Sequence, residues 1–405
     1  MIINPHIFGG APVLEGGQAL STNSTASLST SATRFLPVGY SATPAGSDGA
    51  FFVFSAPGTL DLLRVNFPTA PTGAATWTVT LMKNGVATAL ACTVDSSSSG
   101  GGSASGAVSF AAGDYASLRI VPSASPAPTA SRASVSLVFM PSTAGVTLIA
   151  AYGTPFSNIA ENAVQPFHNS IVTSDGSRRQ NVFPDGGTID MLYVVSTAPG
   201  APASGHKYDF LVGKNTVDQA LTCTVLEDAT SANDTSNSFT VAAPSGSTPG
   251  DDIQFQATPT GPPTAATVGF GLRYRPTTTG SFPLMCARPN SASTTLTFYY
   301  PLSGGTAAGS ATEADEQSIA ENMVITTMSV KLDTAPGTGA SRTFTLRKNG
   351  VDTGLTCTIS GTDTAATVTG SVTVADDDLL STSAVPSSPT APAVARPAIS
   401  YLAHR

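Results

Sequence analysis

The chain has 405 residues, of which only 11% are charged, whereas an ordinary soluble domain has roughly 25%. There are 18 Lys and Arg residues against 26 Asp and Glu residues, which gives a formal net charge of −8. So little positive charge cannot neutralise many phosphates, which excludes a nucleic-acid-binding protein as the default, while 41% hydrophobic residues are enough for a packed core.

The N-terminal segment, residues 1–17, is unusually apolar for a chain terminus, and its side chains include Ile2, Ile3, Ile7 and Phe8. It lacks the basic region, the continuous apolar stretch and the cleavage site of a secretory signal, so we expect folding in a cytoplasm. Two interpretations are open. The segment matches in position the predicted first strands 146–151 and 282–287, which favours a core strand of a first domain. Alternatively, it is an arm that docks on a partner through its apolar side chains.

One sequence pattern occurs three times, in residues 77–94, 208–225 and 342–359. Each copy has Lys-Asn near its middle and ends in Leu-x-Cys-Thr followed by Val or Ile. The three Cys residues are 131 and 134 residues apart, a period typical of tandem domains rather than of a solenoid. Matching junctions after Pro141 and Pro276 place the predicted domains at residues 1–141, 142–276 and 277–405.

Each copy has the alternating pattern of β-strands. Asn-Gly at positions 84–85 and 349–350 is the strongest short signal for a hairpin, whereas Asn215-Thr216 is a poorer turn, so we expect a longer or bulged loop there. About eight short strands per copy predict an all-β chain of three tandem jelly rolls, with a simpler β-sandwich as the alternative. Residues 313–323 are expected to form a short helix at most.

The repeated cysteines, Cys92, Cys223 and Cys357, alternate in phase with apolar neighbours. We therefore predict that they occupy one buried strand position in all three copies, rather than a redox or metal site. They lie in separate predicted domains, so we expect no disulfide between them. Cys286 lies in an apolar stretch and is predicted to be buried as well.

The residues give no basis for a catalytic site. The four His residues are scattered without ligand spacing, and neither a nucleophile elbow nor a phosphate-binding glycine motif occurs in a suitable context. We expect no enzymatic activity, no catalytic residue, no metal and no other cofactor. The acidic run Asp376, Asp377 and Asp378 stands where the other copies have Gly-Asp, and we interpret it as a solvated turn available for partner contacts.

A resemblance to a family rests on residues 342–361, which read Arg-Thr-Phe-Thr-Leu-Arg-Lys-Asn-Gly-Val-Asp-Thr-Gly-Leu-Thr-Cys-Thr-Ile-Ser-Gly. This string follows Thr334-Ala335-Pro336 and precedes a Gly-Ser-Val-Thr-Val-Ala segment. It resembles β-rich virion proteins of tailed bacteriophages, which include tail-tip, fibre and head-decorating proteins. The opening residues 1–10 are similar to the starts of small phage structural proteins. The likeness extends over the core of all three repeats and carries no catalytic residues.

The resemblance implies a non-enzymatic structural component exposed on the surface of a phage particle and made in the host cytoplasm. The alternative is a host-attachment adhesin that binds cell-surface glycan through its loop tips. The expected partners are other virion proteins, with no nucleic acid and no membrane insertion. The three copies could form a pseudo-threefold monomer or a rod that becomes a homo-trimer. If residues 1–17 anchor the chain, the third domain is expected outermost, with the acidic run at 376–378 facing the environment.

Overall fold

The computed structural model describes residues 16–39, 42–49, 51–156, 163–165, 181–196, 206–226, 229–245, 248–261, 266–287, 291–304, 309–387 and 389–405. These residues form antiparallel strands joined by turns, which confirms the predicted all-β sandwich class. Within the described ranges, the helical elements are two 3-10 turns, at Ser96–Ser98 and Glu313–Asp315. The stretch 313–323 therefore gives one such turn, the short strand Ser318–Ile319 and the first residue of the strand Met323–Leu332.

The strands fall into three groups, which we call the first, second and third unit. The first unit contains β1 (Gln18–Asn23), β2 (Arg34–Pro37), β3 (Phe52–Val53), β4 (Gly58–Asn66), β5 (Trp77–Lys83), β6 (Val86–Val94), β7 (Gly101–Ala104), β8 (Val108–Phe110), β9 (Tyr115–Pro122) and β10 (Ser134–Pro141). The second contains β11 (Thr147–Phe156), β12 (Ala163–Gln165), β13 (Asn181–Val182), β14 (Gly187–Ser196), β15 (Lys207–Lys214), β16 (Val217–Leu226), β17 (Ser231–Asp234), β18 (Phe239–Val241), β19 (Asp252–Thr260) and β20 (Ala266–Pro276). The third contains β21 (Ser281–Ala287), β22 (Phe298–Tyr300), β23 (Ser318–Ile319), β24 (Met323–Leu332), β25 (Gly337–Lys348), β26 (Val351–Gly361), β27 (Ala365–Val374), β28 (Leu379–Pro386) and β29 (Pro397–His404).

Each unit has two sheets with the same strand order. In the first unit the orders are β1-β10-β4-β7 and β2-β9-β5-β6; in the second they are β11-β20-β14-β17 and β12-β19-β15-β16; in the third they are β21-β29-β24-β27 and β22-β28-β25-β26. Two antiparallel sheets in each unit are the layers of a β-sandwich. No described strand crosses residue 141 or 276, although the domain bounds themselves stay a prediction.

The interior of each sandwich is filled by the alternating residues of the repeated hairpin. Trp77 is fully buried, and Cys92, Cys223 and Cys357 pair across the sheet with Val79, Phe210 and Phe344 in the same register. The three thiols therefore occupy one buried strand position, as predicted, and Cys286 is buried too. Burial raises the pKa of Cys92 and raises those of Cys223 and Cys357 to about 12.

The hairpin at Asn215-Thr216 has the same two-residue turn as the other copies, so the expectation of a longer or bulged loop was wrong. Lys214 pairs directly with Val217, and the nearby register shift recurs at the same place in all three hairpins. Thr216 adopts φ 67°, where Gly85 and Gly350 both have φ 78°. A β-branched residue is strained at such a φ. Contacts outside the turn must therefore stabilise this conformation of Thr216.

The three units contact one another in a closed cycle. The short strand β3 of the first unit lies on β11, β14 and β20 of the second. In the same way β13 of the second unit lies on β21, β24 and β29 of the third, and β23 of the third lies on β1, β4 and β10 of the first. Three like head-to-tail contacts that close on themselves require a rotation of about 120° between successive units. Within this chain the units form a ring and not an extended rod.

The approach of one unit to the next is close. A Cβ added to Gly271 in β20 would lie 2.2 Å from the carbonyl oxygen of Val53, and one added to Gly269 would lie 2.5 Å from the ring of Phe51. Only glycine allows the first unit to reach the second at these two positions.

The first strand of each unit contributes to two cores. Leu20, Ile149 and Leu284 point into their own sandwiches, whereas Ala19, Leu148 and Met285 join the cluster of the preceding unit in the cycle. The first strands are consequently buried on both faces: β1 and β21 are buried along their whole length.

The ring closes where the ends of the described chain meet. The Gly16 N–H donates to the carbonyl oxygen of Arg405 at 3.3 Å. This contact between the first and third units is equivalent in position to residues 142–144 and 277–279, which join the other pairs of units covalently. The first strand of the first unit starts at Gln18, so the match of residues 1–17 to the other first strands was wrong by position. Residues 1–15 lie outside the described residues.

Replacing Thr216 by Gly tests the strain in the middle hairpin. We expect Thr216→Gly to stabilise the chain by about 1 kcal/mol, since a left-handed residue with a side chain costs about that much. The bond from the Thr216 hydroxyl to the Asn215 carbonyl (2.6 Å) is lost and reduces the gain. Thermal unfolding followed by circular dichroism measures the change.

The matched control is Gly350→Thr in the third unit, where an added Cβ meets nothing closer than 3.9 Å. It should lower the melting temperature by a comparable amount. Equal melting temperatures for the parent and both variants would contradict the strain.

Candidate interaction site at the contact of the first and third units

Each repeated hairpin is held by the same side-chain clasp, formed by Lys, Asn and Asp. In the first unit the Asn84 amide donates to Asp114 Oδ1 at 2.7 Å, and the Tyr115 N–H donates to Asn84 Oδ1 at 2.9 Å. Lys83 Nζ lies 3.0 Å from Asp114 Oδ2, which also accepts from the Ala111 N–H at 2.7 Å. Both carboxylate oxygens of Asp114 and the side-chain amide of Asn84 thus connect the hairpin to the neighbouring turn.

The clasp recurs with little change. Asn215 donates to Asp251 at 2.6 Å, and Asn349 donates to Asp378 at 2.6 Å. Lys214 and Lys348 lie 3.4 Å and 3.5 Å from these carboxylates. Burial acts to raise the pKa of each clasp Asp, but the hydrogen bonds and the Lys outweigh it and lower the pKa. These bonds are what holds Thr216 in its strained conformation.

An exposed valine follows the clasp in every unit. The exposed fractions of Val86, Val217 and Val351 are 69%, 62% and 67%. Among the large apolar side chains exposed in the described ranges, these three alone share an equivalent position. The ring arrangement places them at three related points around its axis, which gives the molecule three matching apolar tips.

The contact between the first and third units contains a cluster of charges around Arg64. The Arg64 guanidinium lies 2.9 Å from Glu321, 2.8 Å from Asp376 and 3.0 Å from Asp377. The Arg64 side chain is 8% exposed and that of Glu321 is fully buried. A second cation, Arg132, lies 3.5 Å from Asp315 in the same contact.

Burial raises the pKa of Glu321 to about 7, against the opposing effect of Arg64. Burial acts to lower the pKa of Arg64, but the surrounding carboxyl groups outweigh it and raise this pKa. The arginine therefore stays charged, and Glu321 is the member of the pair that titrates near neutral pH.

The predicted contact residues divide into two groups. Asp376 and Asp377 turn towards Arg64 of the same chain, and Asp378 belongs to the clasp of the third unit. All three thus have intramolecular roles that the sequence analysis did not foresee, and their contact with a partner stays a prediction. Ile2, Ile3, Ile7 and Phe8 lie outside the described residues.

Arg64 and Glu321 were missed because they are 257 residues apart and belong to no motif. One signal was available. By strand register, the positions equivalent to Arg64 are Tyr193 and Ser329. The three copies therefore carry a cation, an aromatic ring and a hydroxyl at one strand position. The Tyr193 ring lies against Gly113 of the preceding unit, and Lys331 contacts Asp252 across the remaining contact. The three contacts share a backbone geometry and differ in chemistry.

A cleft of about 310 Å³ opens beside the Arg64 cluster. Its floor is formed by Asn66 and the β7 strand, and its wall by the third unit; the lining residues are Asn66, Gly101, Gly102, Ser103, Ile319, Asp377 and Leu379. Gly101 faces the cleft beside Asn66, with which it pairs. The first unit offers the amide of Asn66 and the hydroxyl of Ser103, and the third unit offers the carboxylate of Asp377 and the aliphatic side chains of Ile319 and Leu379.

Within the described ranges, no group of three His, Cys, Asp or Glu side chains is placed to hold a metal ion. In the same ranges no helix has the length and apolarity to cross a membrane. The chain matches no protein-family model and no curated protein.

Glu321 is expected to make the stability of the chain depend on pH. Its pKa in the folded state, about 7, lies above its ordinary value of 4.5, so the folded chain binds more protons than the unfolded chain between these values. Its contribution is complete below pH 4.5 and is lost as the pH rises through about 7. The loss should be at most ~3 kcal/mol. Urea unfolding at intervals across this pH window measures it.

Glu321→Gln retains a hydrogen-bond acceptor for Arg64 and removes the titration. The difference in unfolding free energy between parent and variant should therefore change with pH in this window. Two curves that run parallel would contradict the assignment.

Proposed function

We propose that the chain is a non-enzymatic structural component of a bacteriophage particle, exposed on the virion surface. The observation that supports this most directly is the closed ring of three β-sandwich units, since it presents three equivalent, rigid contact points from one chain. The resemblance of residues 342–361 to virion proteins of tailed phages points to the same class.

The hairpin tips are suited to contacts with other virion proteins. The clasp fixes each tip before binding, so little conformational entropy is lost on association. The Lys and Asp of the clasp neutralise each other, which leaves Val86, Val217 and Val351 as uncharged apolar contacts. Three weak contacts made together bind far more tightly than one.

The low charge and acidic balance are also consistent with a particle surface. A protein present at high local density stays soluble when it repels its neighbours mildly, and an acidic surface avoids stray nucleic acid. The net charge of −8 meets both needs.

Purified particles from a host that produces the chain provide the test. The chain should be found in the particles by mass spectrometry, and immunogold labelling should place it on their surface. Its absence from particles that are otherwise complete would overturn the proposal.

The contribution of the tips can be tested with a triple variant, Val86→Asp, Val217→Asp and Val351→Asp. We expect it to fold and to be lost from particles, because each Asp would have to be desolvated in an apolar contact. The matched control is Val394→Asp, an exposed valine, 60% accessible, outside the repeated position. Equal incorporation of both variants would show that the tips do not make the contact.

A second candidate function, a host-attachment adhesin that binds glycan, is favoured by the cleft beside Arg64. Its volume of about 310 Å³ is at the lower limit of ligand pockets, which suits a mono- or disaccharide. Asn66, Ser103 and Asp377 can bond to hydroxyl groups, and Ile319 and Leu379 can cover an apolar sugar face. The nearby carboxylates disfavour anionic sugars.

Ligand-observed NMR with a panel of neutral sugars, and with sialic acid for comparison, tests the adhesin candidate. Gly101→Val should abolish binding, because its side chain would fill the cleft while an added Cβ meets no atom closer than 3.8 Å. Gly354→Val, at a glycine with no neighbour within 4 Å, is the control. Binding of sialic acid alone, or binding that survives Gly101→Val, would contradict this candidate.

A further inference from the structure

Two of the three clasps contain an Asn-Gly pair, Asn84-Gly85 and Asn349-Gly350, and the sequence has no other such pair. An asparagine in this context can lose its side-chain nitrogen without an enzyme. The backbone nitrogen of the glycine attacks Cγ of the asparagine, and the amide nitrogen leaves as ammonia together with the glycine proton, so that a five-membered succinimide forms. Water then opens the ring at either carbonyl and leaves aspartate or isoaspartate. Glycine favours the attack, because it has no Cβ to crowd its own nitrogen.

The folded clasp restrains both polar atoms of the asparagine side chain. The nitrogen of Asn84 that would leave donates to Asp114 at 2.7 Å, and the side-chain oxygen accepts from the Tyr115 N–H at 2.9 Å. The backbone is restrained as well, since the Asn84 N–H donates to the Tyr115 carbonyl at 3.0 Å. Asn84 Cγ cannot turn onto the nitrogen of Gly85 while these bonds hold. The clasp must therefore open before the ring can form.

The third unit repeats this arrangement. The Asn349 amide donates to Asp378 at 2.6 Å, its oxygen accepts from the Leu379 N–H at 2.8 Å, and its backbone N–H donates to the Leu379 carbonyl at 2.7 Å. Asn84 and Asn349 are both exposed, so water reaches each site once a succinimide has formed.

The second unit has the same bonds but a different residue after the asparagine. Asn215 donates to Asp251 at 2.6 Å and accepts from the Asp252 N–H at 2.9 Å. The next residue is Thr216, whose branched Cβ crowds the nitrogen that would attack. This unit therefore combines the clasp with an unreactive pair and serves as an internal control for the other two.

The product of the reaction cannot restore the clasp. A carboxylate at position 84 has no N–H to donate to Asp114 and lies opposite it with the same charge, and Lys83 is the one cation of the clasp. Isoaspartate also adds a methylene group to the main chain of a two-residue turn. The modified hairpin is consequently released from the neighbouring turn.

We propose that Asn84 and Asn349 are deamidation sites, that opening of their clasps sets the rate, and that the reaction releases their hairpin tips permanently. The tips at Val86 and Val351 are then lost with time, whereas the tip at Val217 persists. This inference does not rest on the proposed function, because it concerns the chain alone.

The role of the clasp is tested by incubating full-length chains at mildly alkaline pH and following each asparagine by peptide mapping with mass spectrometry. Asp114→Ala should raise the rate at Asn84 at least about tenfold, since a hydrogen bond to a charged group restrains opening by about that factor, and should leave Asn349 unchanged. Asp378→Ala should do the reverse, so each variant carries its own control. An unchanged rate at Asn84 in Asp114→Ala would overturn the proposal. An equal rise at both sites would show that general unfolding sets the rate, and would overturn it too.

A second test leaves every clasp residue in place and covers the case in which an aspartate variant fails to fold. Thr216→Gly should create a third deamidation site at Asn215, with a rate like that at Asn84, whereas Asn215 of the parent stays intact. The rate at all three asparagines of Thr216→Gly should rise at least about tenfold in urea, where the clasps are absent. Equal rates with and without urea would contradict protection by the clasp.

Release of the tip is tested with Asn84→Asp, which reproduces one product of the reaction. Hydrogen exchange in residues 111–116 should become at least about tenfold faster than in the parent, because the bond to Asp114 is replaced by repulsion. Residues 375–380 of the same molecule should exchange as in the parent. Unchanged exchange in residues 111–116 would show that the tip is not released.

Discussion

The whole arrangement depends on one constraint: the sheet that contains the first strand of each unit has a second face, which a neighbouring unit covers. One face covers the core of its own sandwich, and the other accepts the short strand of the preceding unit. A single unit that stood alone would expose the second face to water, at a cost of about 25 cal/mol for each Å² of apolar surface. The ring is the arrangement in which three such sheets are all covered, because each unit both covers a neighbour and is covered.

The sequence of the third unit contains a signal of this constraint, although alternation did not reveal it. The second half of the hairpin strand, residues 89–94, alternates strictly between exposed and buried side chains, since one of its faces meets solvent. In contrast, residues 282–287 (Phe-Pro-Leu-Met-Cys-Ala) are a continuous apolar run, which is typical of a strand buried on both sides. The period-two pattern therefore predicted the repeated hairpins and the buried cysteines correctly, whereas the ring would have required attention to the runs that do not alternate.

Two features lay beyond sequence reasoning for physical reasons. The turn at Asn215-Thr216 follows the clasp to Asp251, 36 residues from Asn215, and this tertiary contact overrides the local preference for glycine. The Arg64 cluster joins residues more than 250 positions apart, so no local pattern marks it. The acidic run at 376–378 was correctly seen as a turn. Its division between a clasp residue and two partners of Arg64 follows only from the packing of the third unit on the first.

The three contacts of the ring show how a repeated fold specifies its neighbours. The backbone approach is the same in each, but one contact uses an arginine among carboxylates, one a tyrosine on a glycine, and one a lysine with a buried aspartate. Because a unit placed in the wrong position would leave a buried charge without its counter-ion, the order of units is fixed by chemistry as well as by the chain.

The repeated cysteines have a practical consequence. Each thiol is buried, and the high pKa of Cys223 and Cys357 leaves almost no thiolate at neutral pH, so alkylating reagents react only when the surrounding sandwich opens. Since each sandwich carries its own repeated cysteine on the same strand, the rate of modification at each site reports the opening of that sandwich. The chain thus contains three internal probes of local unfolding, one for each part of the ring.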